Sequence, residues 1–207
     1  AADIKVHIGK NITRGLGSGM NPDIGRQAAE ESTTELEEML SNADMVFITA
    51  GLGGGTGTGA SPVIAEIAKS RGILTVAVVT KPFTFEGAKR REVAENGYEQ
   101  LKDKVDAIIS IHNDRILQII DKQTSLVDAF RTVDEVLRQG IAGISDLITT
   151  HGIVNADFAD VKSIMQDAGT ALMGIGSASG ENRAGEAAKQ AVNSPLLELA
   201  IDGAKGV

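Results

Sequence analysis

The spacing of hydrophobic positions along the chain alternates between that of a β-strand and that of an α-helix. This pattern predicts strands and helices that alternate along the sequence. Short apolar runs indicate buried strands, and an alternating apolar and polar run near the start indicates one more. The expected strands cover residues 4–8, 44–50, 73–80 and 105–111. Apolar residues recur at helical spacing between them, and the expected helices cover residues 22–41, 60–71, 87–104 and 115–120. Strands that alternate with helices are typical of a parallel α/β sheet with crossover helices.

The pattern changes at about Ser125, where an apolar helix of about 25 residues is expected to run through the middle of the molecule. Shorter elements follow it, with a turn at 151–157, a helix at 159–166, a strand at 170–177 and a helix at 181–192. These resemble the start of a second, α+β domain. We therefore expect a first α/β domain over 1–124, a long central helix over 125–150 and a truncated second domain over 151–207.

A glycine-rich run, Gly-Leu-Gly-Gly-Gly-Thr-Gly-Thr-Gly, fills residues 51–59 between an expected strand and an expected helix. Such a turn can cradle phosphate, because glycine lets the backbone approach an anion and the helix N-terminus adds favourable charge. The candidate residues are Gly53, Gly54, Gly55, Gly57 and Gly59, with Thr56 and Thr58 as hydroxyl donors. The run lacks the Gly-Lys-Ser/Thr of a P-loop and fits the dinucleotide fingerprint poorly. A flexible linker is the alternative, but the apolar flanks argue against it.

Composition and charge narrow the classes of function. Of the 207 residues, 42% are hydrophobic, enough for a core, and no cysteine is present for disulfides or thiolate metal sites. The net charge is −8 and the longest basic cluster is Lys89-Arg90-Arg91, so a nucleic-acid partner is not expected. No apolar run reaches the ~18–20 residues of a membrane span and no signal peptide is visible, so we expect a cytoplasmic protein without direct membrane insertion.

Five motifs resemble, in order, those of the FtsZ family of tubulin-like GTPases. The first is the run Gly53–Gly59, which looks like the glycine signature of that family. The others are Pro82-Phe83-Thr84-Phe85-Glu86-Gly87, Asn113-Asp114-Arg115, Asp128-Ala129-Phe130 and Asn155-Ala156-Asp157-Phe158-Ala159-Asp160. The resemblance covers essentially the whole chain and implies a Rossmann-like GTPase domain that binds GTP or GDP at the carboxyl edge of its sheet.

The chain departs from the family pattern at both ends. The family's first strand and first glycine-rich loop, which wraps the diphosphate, are expected to precede Ala1, and the rest of the second domain is expected to follow Val207. We therefore expect a central fragment.

The resemblance implies roles at the phosphates and the ribose. It assigns Gly53–Gly59 to the phosphates, and places Gly17 and Gly19 in a loop near the γ-phosphate, where the alternative is a flexible connection. Glu86 and Arg90 lie four residues apart, on one face of the expected helix. The resemblance puts Glu86 at the ribose and Arg90 near the phosphates, and the alternative is a solvated ion pair worth ~0.3–0.5 kcal/mol.

Three further residues are candidates for the base. Asn113 ends an expected strand on the ligand edge, where it could form a turn or pair with a purine or ribose. Phe130 is either a core residue or, by resemblance, the ring that stacks on guanine. Asp134 lies one turn later on a mostly apolar face, and its carboxylate can accept from guanine N–H groups that adenine lacks.

Asn155, Asp157 and Asp160 follow the central helix. In isolation, they would form a helix N-cap with an acid in the first turn. In the family, this loop inserts into the next subunit's nucleotide site, where its acids position the attacking water. The resemblance therefore implies head-to-tail filaments, a hydrolytic site shared by two subunits, and a role with other proteins of the mid-cell division ring. Phosphate chemistry of this kind also implies Mg²⁺, with no dedicated metal cage in the protein.

Two other classes of function stay open. A non-catalytic tubulin-like module that caps filaments would follow from the truncation, although Asp157 and Asp160 argue against it. An oxidoreductase with a glycine-rich cofactor loop is a more distant alternative.

Overall fold

A computed structural model describes residues 2–117, 120–121, 123–150, 157–174 and 176–194. Four parallel strands form its sheet in the order β1-β2-β3-β4. They are β1 (Met45–Gly51), β2 (Leu74–Lys81), β3 (Ala107–His112) and β4 (Gly169–Ala171). Because all four run in one direction, their carboxyl ends meet at one edge and their amino ends at the other.

Helices connect these strands and cover the sheet. Their bounds are α1 (Pro22–Glu31), α2 (Thr33–Leu40), α3 (Thr56–Ser70), α4 (Ala88–Lys102), α5 (Asn113–Ile116), α6 (Leu126–Thr149), α7 (Phe158–Met165) and α8 (Arg183–Val192), with a 3₁₀ turn at Thr84–Glu86. Local sequence explains several starts. Asn21 caps α1 ahead of Pro22, and the Ser125 hydroxyl accepts from the Asp128 N–H at 3.2 Å to begin α6.

The core lies on both faces of β2, whose eight residues are all buried. On one face, Val76 and Val78 pack with Val133 and Val136 of α6. On the other, Ala77 and Val79 pack with side chains of α3 and α4 such as Ala65, Ala94 and Leu101. A strand covered on both sides must be apolar along its whole length, which explains its continuous hydrophobic run.

The structure confirms the parallel α/β fold and the strands expected at 44–50, 73–80 and 105–111, each within one or two residues. The strand expected at 4–8 is wrong, because residues 5–9 are irregular and Ile4 is 68% exposed. Alternation alone does not make a strand, since the backbone also needs a ladder partner. No described strand pairs with this segment.

Other boundaries also differ. The helix expected over 22–41 is two helices that break at Ser32, which has φ −104° and ψ 17°. The helix expected from residue 60 begins at Thr56, so the last four residues of the glycine-rich run are helical. The helix expected at 115–120 covers Asn113–Ile116 instead, and the strand expected at 170–177 is only Gly169–Ala171. The turn expected at 151–157 lies almost entirely outside the described residues.

Candidate functional site

A cleft of about 280 Å³ opens at the carboxyl edge of the sheet. Six of the residues singled out from the sequence line it: Gly54, Glu86, Arg90, Asn113, Phe130 and Asp134. They come from the loop after β1, the 3₁₀ turn, α4, α5 and α6. Residues separated by 80 positions in the sequence therefore meet at the edge where parallel α/β sheets bind ligands.

The loop after β1 forms one wall. Gly53 has φ +98°, and a Cβ there would lie 2.7 Å from the Arg90 carbonyl oxygen, so only glycine fits. Its N–H donates to the Thr58 hydroxyl at 3.0 Å. Thr58 is thus buried beneath the loop and does not line the cleft, although it was expected to offer its hydroxyl to a ligand.

The rest of the glycine run packs against protein. Thr56, Gly57, Thr58 and Gly59 form the first turn of α3, and a Cβ on Gly59 would overlap the Pro22 carbonyl of α1. Their small size lets α1 approach α3 closely. The run therefore combines two tasks, an open loop at Gly54 and a tight helix contact behind it.

A second loop, residues 14–20, lies against the glycine-rich run of residues 51–59. Ser18 is buried, and its hydroxyl is 3.0 Å from that of Thr56. Gly17 and Gly19 flank it with positive φ and exposed backbone, and neither lines the cleft. The sequence analysis did not predict this contact between Ser18 and Thr56, which joins two glycine-rich loops.

Glu86 and Arg90 form an ion pair with 3.0 Å between Oε2 and the guanidinium nitrogen. The other Glu86 oxygen accepts from the Phe83 N–H at 2.9 Å, which ties the carboxylate to the 3₁₀ turn. Arg90 in turn abuts Gly53 through its backbone. The pair therefore joins the two walls of the cleft. It is more than a solvated ion pair, because a backbone hydrogen bond also holds the Glu86 carboxylate in place.

The far end of the cleft is set for a planar polar group. Asn113 is 4% exposed, and its Oδ1 makes no hydrogen bond within the described part of the chain. Phe130 meets Phe83 edge to face, with ring centroids 5.1 Å apart, and remains 39% exposed toward solvent. Asp134 lies one turn further along α6. A buried acceptor, an aromatic ring and a carboxylate thus converge on one space.

Six lining residues were not singled out from the sequence: Gly51, Leu52, Thr80, Pro82, Val133 and Leu137. Two signals could have found some of them. Gly51 and Thr80 end strands on the predicted edge, and Val133 and Leu137 follow Phe130 at helical spacing.

Beside the cleft, Lys81 pairs with Glu95 at 2.8 Å and lies 4.3 Å over the ring of Tyr98. Burial, and then the nearby charge of Lys81, lowers the pKa of His112 below its ordinary value. Glu95, Arg115 and Asp114 exert smaller effects on it. The imidazole next to Asn113 is therefore neutral near pH 7.

Asp157 and Asp160 are not in the cleft. They form a reciprocal capping box on α7, in which Asp157 Oδ1 accepts from the Asp160 N–H at 2.9 Å and Asp160 Oδ2 accepts from the Asp157 N–H at 3.1 Å. Both are exposed. Asn155 lies outside the described residues.

The residues that line the cleft and the acidic pair Asp157 and Asp160 lie toward opposite ends of the molecule. Lys162 of α7 lines a second, smaller cleft with Leu74 and Asp106, at the amino ends of β2 and β3. α6 connects the two regions, because Phe130 and Asp134 are in its first half and Ile144 in its second half joins the core that includes Met165 of α7. Its 24 residues span about 36 Å.

Comparison with known proteins agrees with this architecture. Residues 1–121 match the model of the Tubulin/FtsZ family, GTPase domain. The chain belongs to the Tubulin/FtsZ family. Residues 169–207 match the FtsZ family, C-terminal domain. The resemblance to FtsZ noted from the motifs is therefore confirmed.

Solved structures of the Tubulin/FtsZ family superpose closely on the chain. An empty FtsZ dimer from M. jannaschii is 51% identical, with a TM-score of 0.90 over 95% of this chain. The W319Y mutant of FtsZ from M. jannaschii is 50% identical, with a TM-score of 0.91 over 96%. A GTPγS-bound protofilament of CetZ2 from Haloferax volcanii is 25% identical, with a TM-score of 0.67 over 85%. The chain spans 57%, 59% and 52% of the lengths of these three chains.

Two surveys cover only the described part of the chain. Its residues contain no group of three histidine or acidic side chains that could hold a metal ion. None of the described helices combines the length and the apolar character needed to cross a bilayer.

Proposed function

We propose that this chain is the nucleotide-binding and catalytic part of an FtsZ-type GTPase, with GTP bound in the cleft at the carboxyl edge. The observation that carries the proposal is Asn113, a residue that lines the cleft and whose buried Oδ1 has no hydrogen-bond partner in the described residues. A buried acceptor left unpaired costs roughly 1–3 kcal/mol, so a ligand that donates to it binds favourably. Family membership in a set of GTPases identifies the ligand class.

The remaining contacts follow from the walls of the cleft. The backbone at Gly54 and the start of α3 face the phosphates in this proposal, where the N–H groups of a helix start and the helix dipole favour an anion. Arg90 adds positive charge there, and Glu86 can accept from ribose hydroxyls. Gly17 and Gly19 bring a second stretch of exposed backbone close to the terminal phosphate.

The base end of the cleft accounts for the choice of guanine. Phe130 lines the cleft with an exposed ring that can stack on a base, and the Asp134 carboxylate can accept from the N1–H and N2–H of guanine. Adenine presents no such pair of donors. We therefore assign stacking to Phe130 and base selection to Asp134.

Hydrolysis is proposed to need two subunits. Asp157 and Asp160 lie away from their own cleft, exposed at the start of α7, and Asn155 precedes them in the sequence. A head-to-tail contact would bring these groups of one subunit to the nucleotide of the next. A heterologous contact of this type makes open filaments. The dimer and protofilament among the relatives support such self-association.

Magnesium fits this site through the nucleotide rather than through a protein cage. Mg²⁺ commonly binds substrate phosphates with few protein ligands, and here it would neutralise charge on the phosphates. By the same relationship, we place the filaments in the cytoplasm at the division ring, together with other ring proteins.

The proposal is tested by GTP turnover measured against protein concentration in the full-length protein. Turnover per molecule should rise steeply above an assembly threshold, since the site is complete only between subunits. Constant turnover per molecule at all concentrations would contradict the shared site. Filament capping with no turnover at any concentration would favour the non-catalytic module, and preferential binding of NAD over GTP would favour an oxidoreductase.

A further inference from the structure

A cluster of charged groups joins three elements at the amino edge of the sheet, outside the nucleotide cleft. Its centre is Lys69, in the last turn of α3. The Lys69 ammonium donates to Asp167 Oδ1 at 2.9 Å and lies 3.4 Å from Asp106 Oδ1. It also lies 3.4 Å from the Val105 carbonyl oxygen. One side chain therefore contacts the residues that precede β3 and the turn that connects α7 to β4.

Asp106 makes this cluster part of the sheet. Its side chain is only 7% exposed, and its Oδ2 accepts from the Thr75 N–H of β2 at 2.9 Å. Its carbonyl oxygen accepts from the Gly169 N–H at 2.9 Å, at the start of β4. The Thr75 N–H thus fixes the carboxylate, and the Gly169 N–H fixes the main chain of the same residue, so Asp106 holds Lys69 in a defined place.

Asp167 makes the cluster part of α7. It lies two residues beyond Met165, the last residue of α7, and has φ +52°. Because the connection is so short, the contact between Lys69 and Asp167 restrains the carboxyl end of α7. The hydrogen bond to Asp167 is also the main reason that the pKa of Lys69 is raised above its ordinary value.

Resting on the proposed function, we propose that Lys69 is a positioning residue for hydrolysis: through Asp167 it sets the orientation of α7, and so the place of Asp157 and Asp160 against the next subunit's nucleotide. α7 has eight residues and a length of about 12 Å, so it transmits a restraint from one end to the other. Val161 is the one buried residue of α7, while Phe158 and Met165 pack against the core as partly buried side chains. The contact between Lys69 and Asp167 adds a fixed point just beyond the carboxyl end of the helix.

The test uses Lys69→Met, which keeps most of the stem, and Asp167→Asn, which keeps a residue that tolerates positive φ. Both are measured in the full-length protein for nucleotide affinity, filament mass and turnover per assembled subunit. We expect unchanged affinity and filament mass, with turnover per assembled subunit lower by about 10-fold in Lys69→Met, because small misplacement of reacting groups costs rate steeply. Lys69→Arg should retain most of the activity.

Lys104→Met is the matched control. Lys104 pairs with Glu66 of the same α3 at 2.6 Å, its side chain is 38% exposed like that of Lys69, and the pair does not touch α7. It should change turnover by less than about twofold, as expected for an exposed pair. In the Lys69→Met background, Asp167→Asn should add no further loss, because the contact between Lys69 and Asp167 is already broken there.

Three results would overturn the positioning role. One is unchanged turnover per assembled subunit in both variants, and another is independent, multiplying losses in the double variant. The third is a higher assembly threshold with normal turnover once assembled, which would make the cluster an assembly contact. If Lys69→Met does not fold, the exposed Asp167→Asn decides the matter. Asp160→Ala separates the two proposals, because full turnover in that variant contradicts the shared site itself.

Discussion

Gly54 and Gly55 are neighbours in the glycine-rich run, yet a side chain on each would meet different surroundings. A Cβ on Gly54 would meet nothing within 4 Å and would point into the cleft that it lines. A Cβ on Gly55 would strike Ser18 and the backbone of Asn21. A substitution at Gly55 would therefore disturb the packing of the protein. A substitution at Gly54 would leave that packing intact, so Gly54 is the better position for testing whether the loop binds a ligand.

Gly54→Ala should weaken GTP binding by about 10- to 100-fold, since loss of a backbone hydrogen bond to a charged phosphate costs roughly 1.5–3 kcal/mol. Thermal stability should stay close to that of the parent. Isothermal titration with GTP measures the affinity, and Gly143→Ala, at an open position of α6, is the control. An unchanged dissociation constant would remove the loop from the site.

Asp134→Ala should reduce the preference for GTP over ATP by about 10- to 100-fold, because a charged acceptor for two guanine donors is lost. Competition binding of the two nucleotides measures this ratio. The neighbouring Glu135→Ala is a suitable control, since Glu135 bonds to Arg138 on the solvent side of α6 and does not line the cleft. A parental ratio in Asp134→Ala would show that the base is read elsewhere.

His112 gives the protein a pH-dependent stability. Its pKa is lowered in the folded state, so the unfolded chain binds a proton more readily. The contribution of His112 to the free energy of unfolding is therefore fully present above the ordinary pKa of 6.5, and it is lost as the pH decreases below that value. His112→Gln should reduce the loss of stability between about pH 7.5 and pH 5.5, read from urea midpoints. An identical loss in parent and variant would assign the effect to other groups.

At the scale of an element, α7 combines a structural and a proposed catalytic use of the same acids. The capping box formed by Asp157 and Asp160 accounts for the helix start by itself. Catalysis is the second role proposed for the same carboxylates. The two roles can be separated, because asparagine caps helices as well as aspartate does but carries no negative charge.

Asp157→Asn should keep the stability of the parent and lose most of the GTP turnover in filaments. Asp157→Ala should lose turnover and also about 0.5–2 kcal/mol of stability, because the cap disappears. Urea denaturation and phosphate release measure the two properties in parallel. Parental turnover in Asp157→Asn would leave this residue with the capping role only.

At the scale of the whole molecule, α6 separates the cleft from the acids at the start of α7, so complementation is possible between two defective proteins. Asp160→Ala should bind GTP and present a defective α7. Gly54→Leu should block the cleft and still present an intact α7, since its side chain extends into open space.

Mixing these two full-length variants should restore part of the turnover, because one of the mixed interfaces contains a bound nucleotide and an intact pair of acids. Phosphate release is measured at a fixed total concentration, with each variant alone as the control. Co-pelleting must first show that mixed filaments form. Mixed filaments without any return of activity would contradict the shared site.

Local sequence determined much of this protein. Hydrophobic periodicity predicted β1, β2, β3 and the helices between them, and the glycine-rich run was correctly placed after β1, at the carboxyl edge of the sheet. These features depend on the conformational preferences and burial of neighbouring residues, which short segments of the sequence determine. The family resemblance likewise rests on contiguous motifs.

Only the tertiary structure decided which residues share a space. The segment 4–8 alternates like a strand but lacks a partner, and Thr58 turned inward because the Gly53 N–H lies above it. Ser18 contacts Thr56, which lies 38 residues away in sequence. Lys69 reached Asp167 across 98 positions. Such contacts depend on how elements that are far apart in the sequence pack together, and a local pattern of residues does not determine that packing.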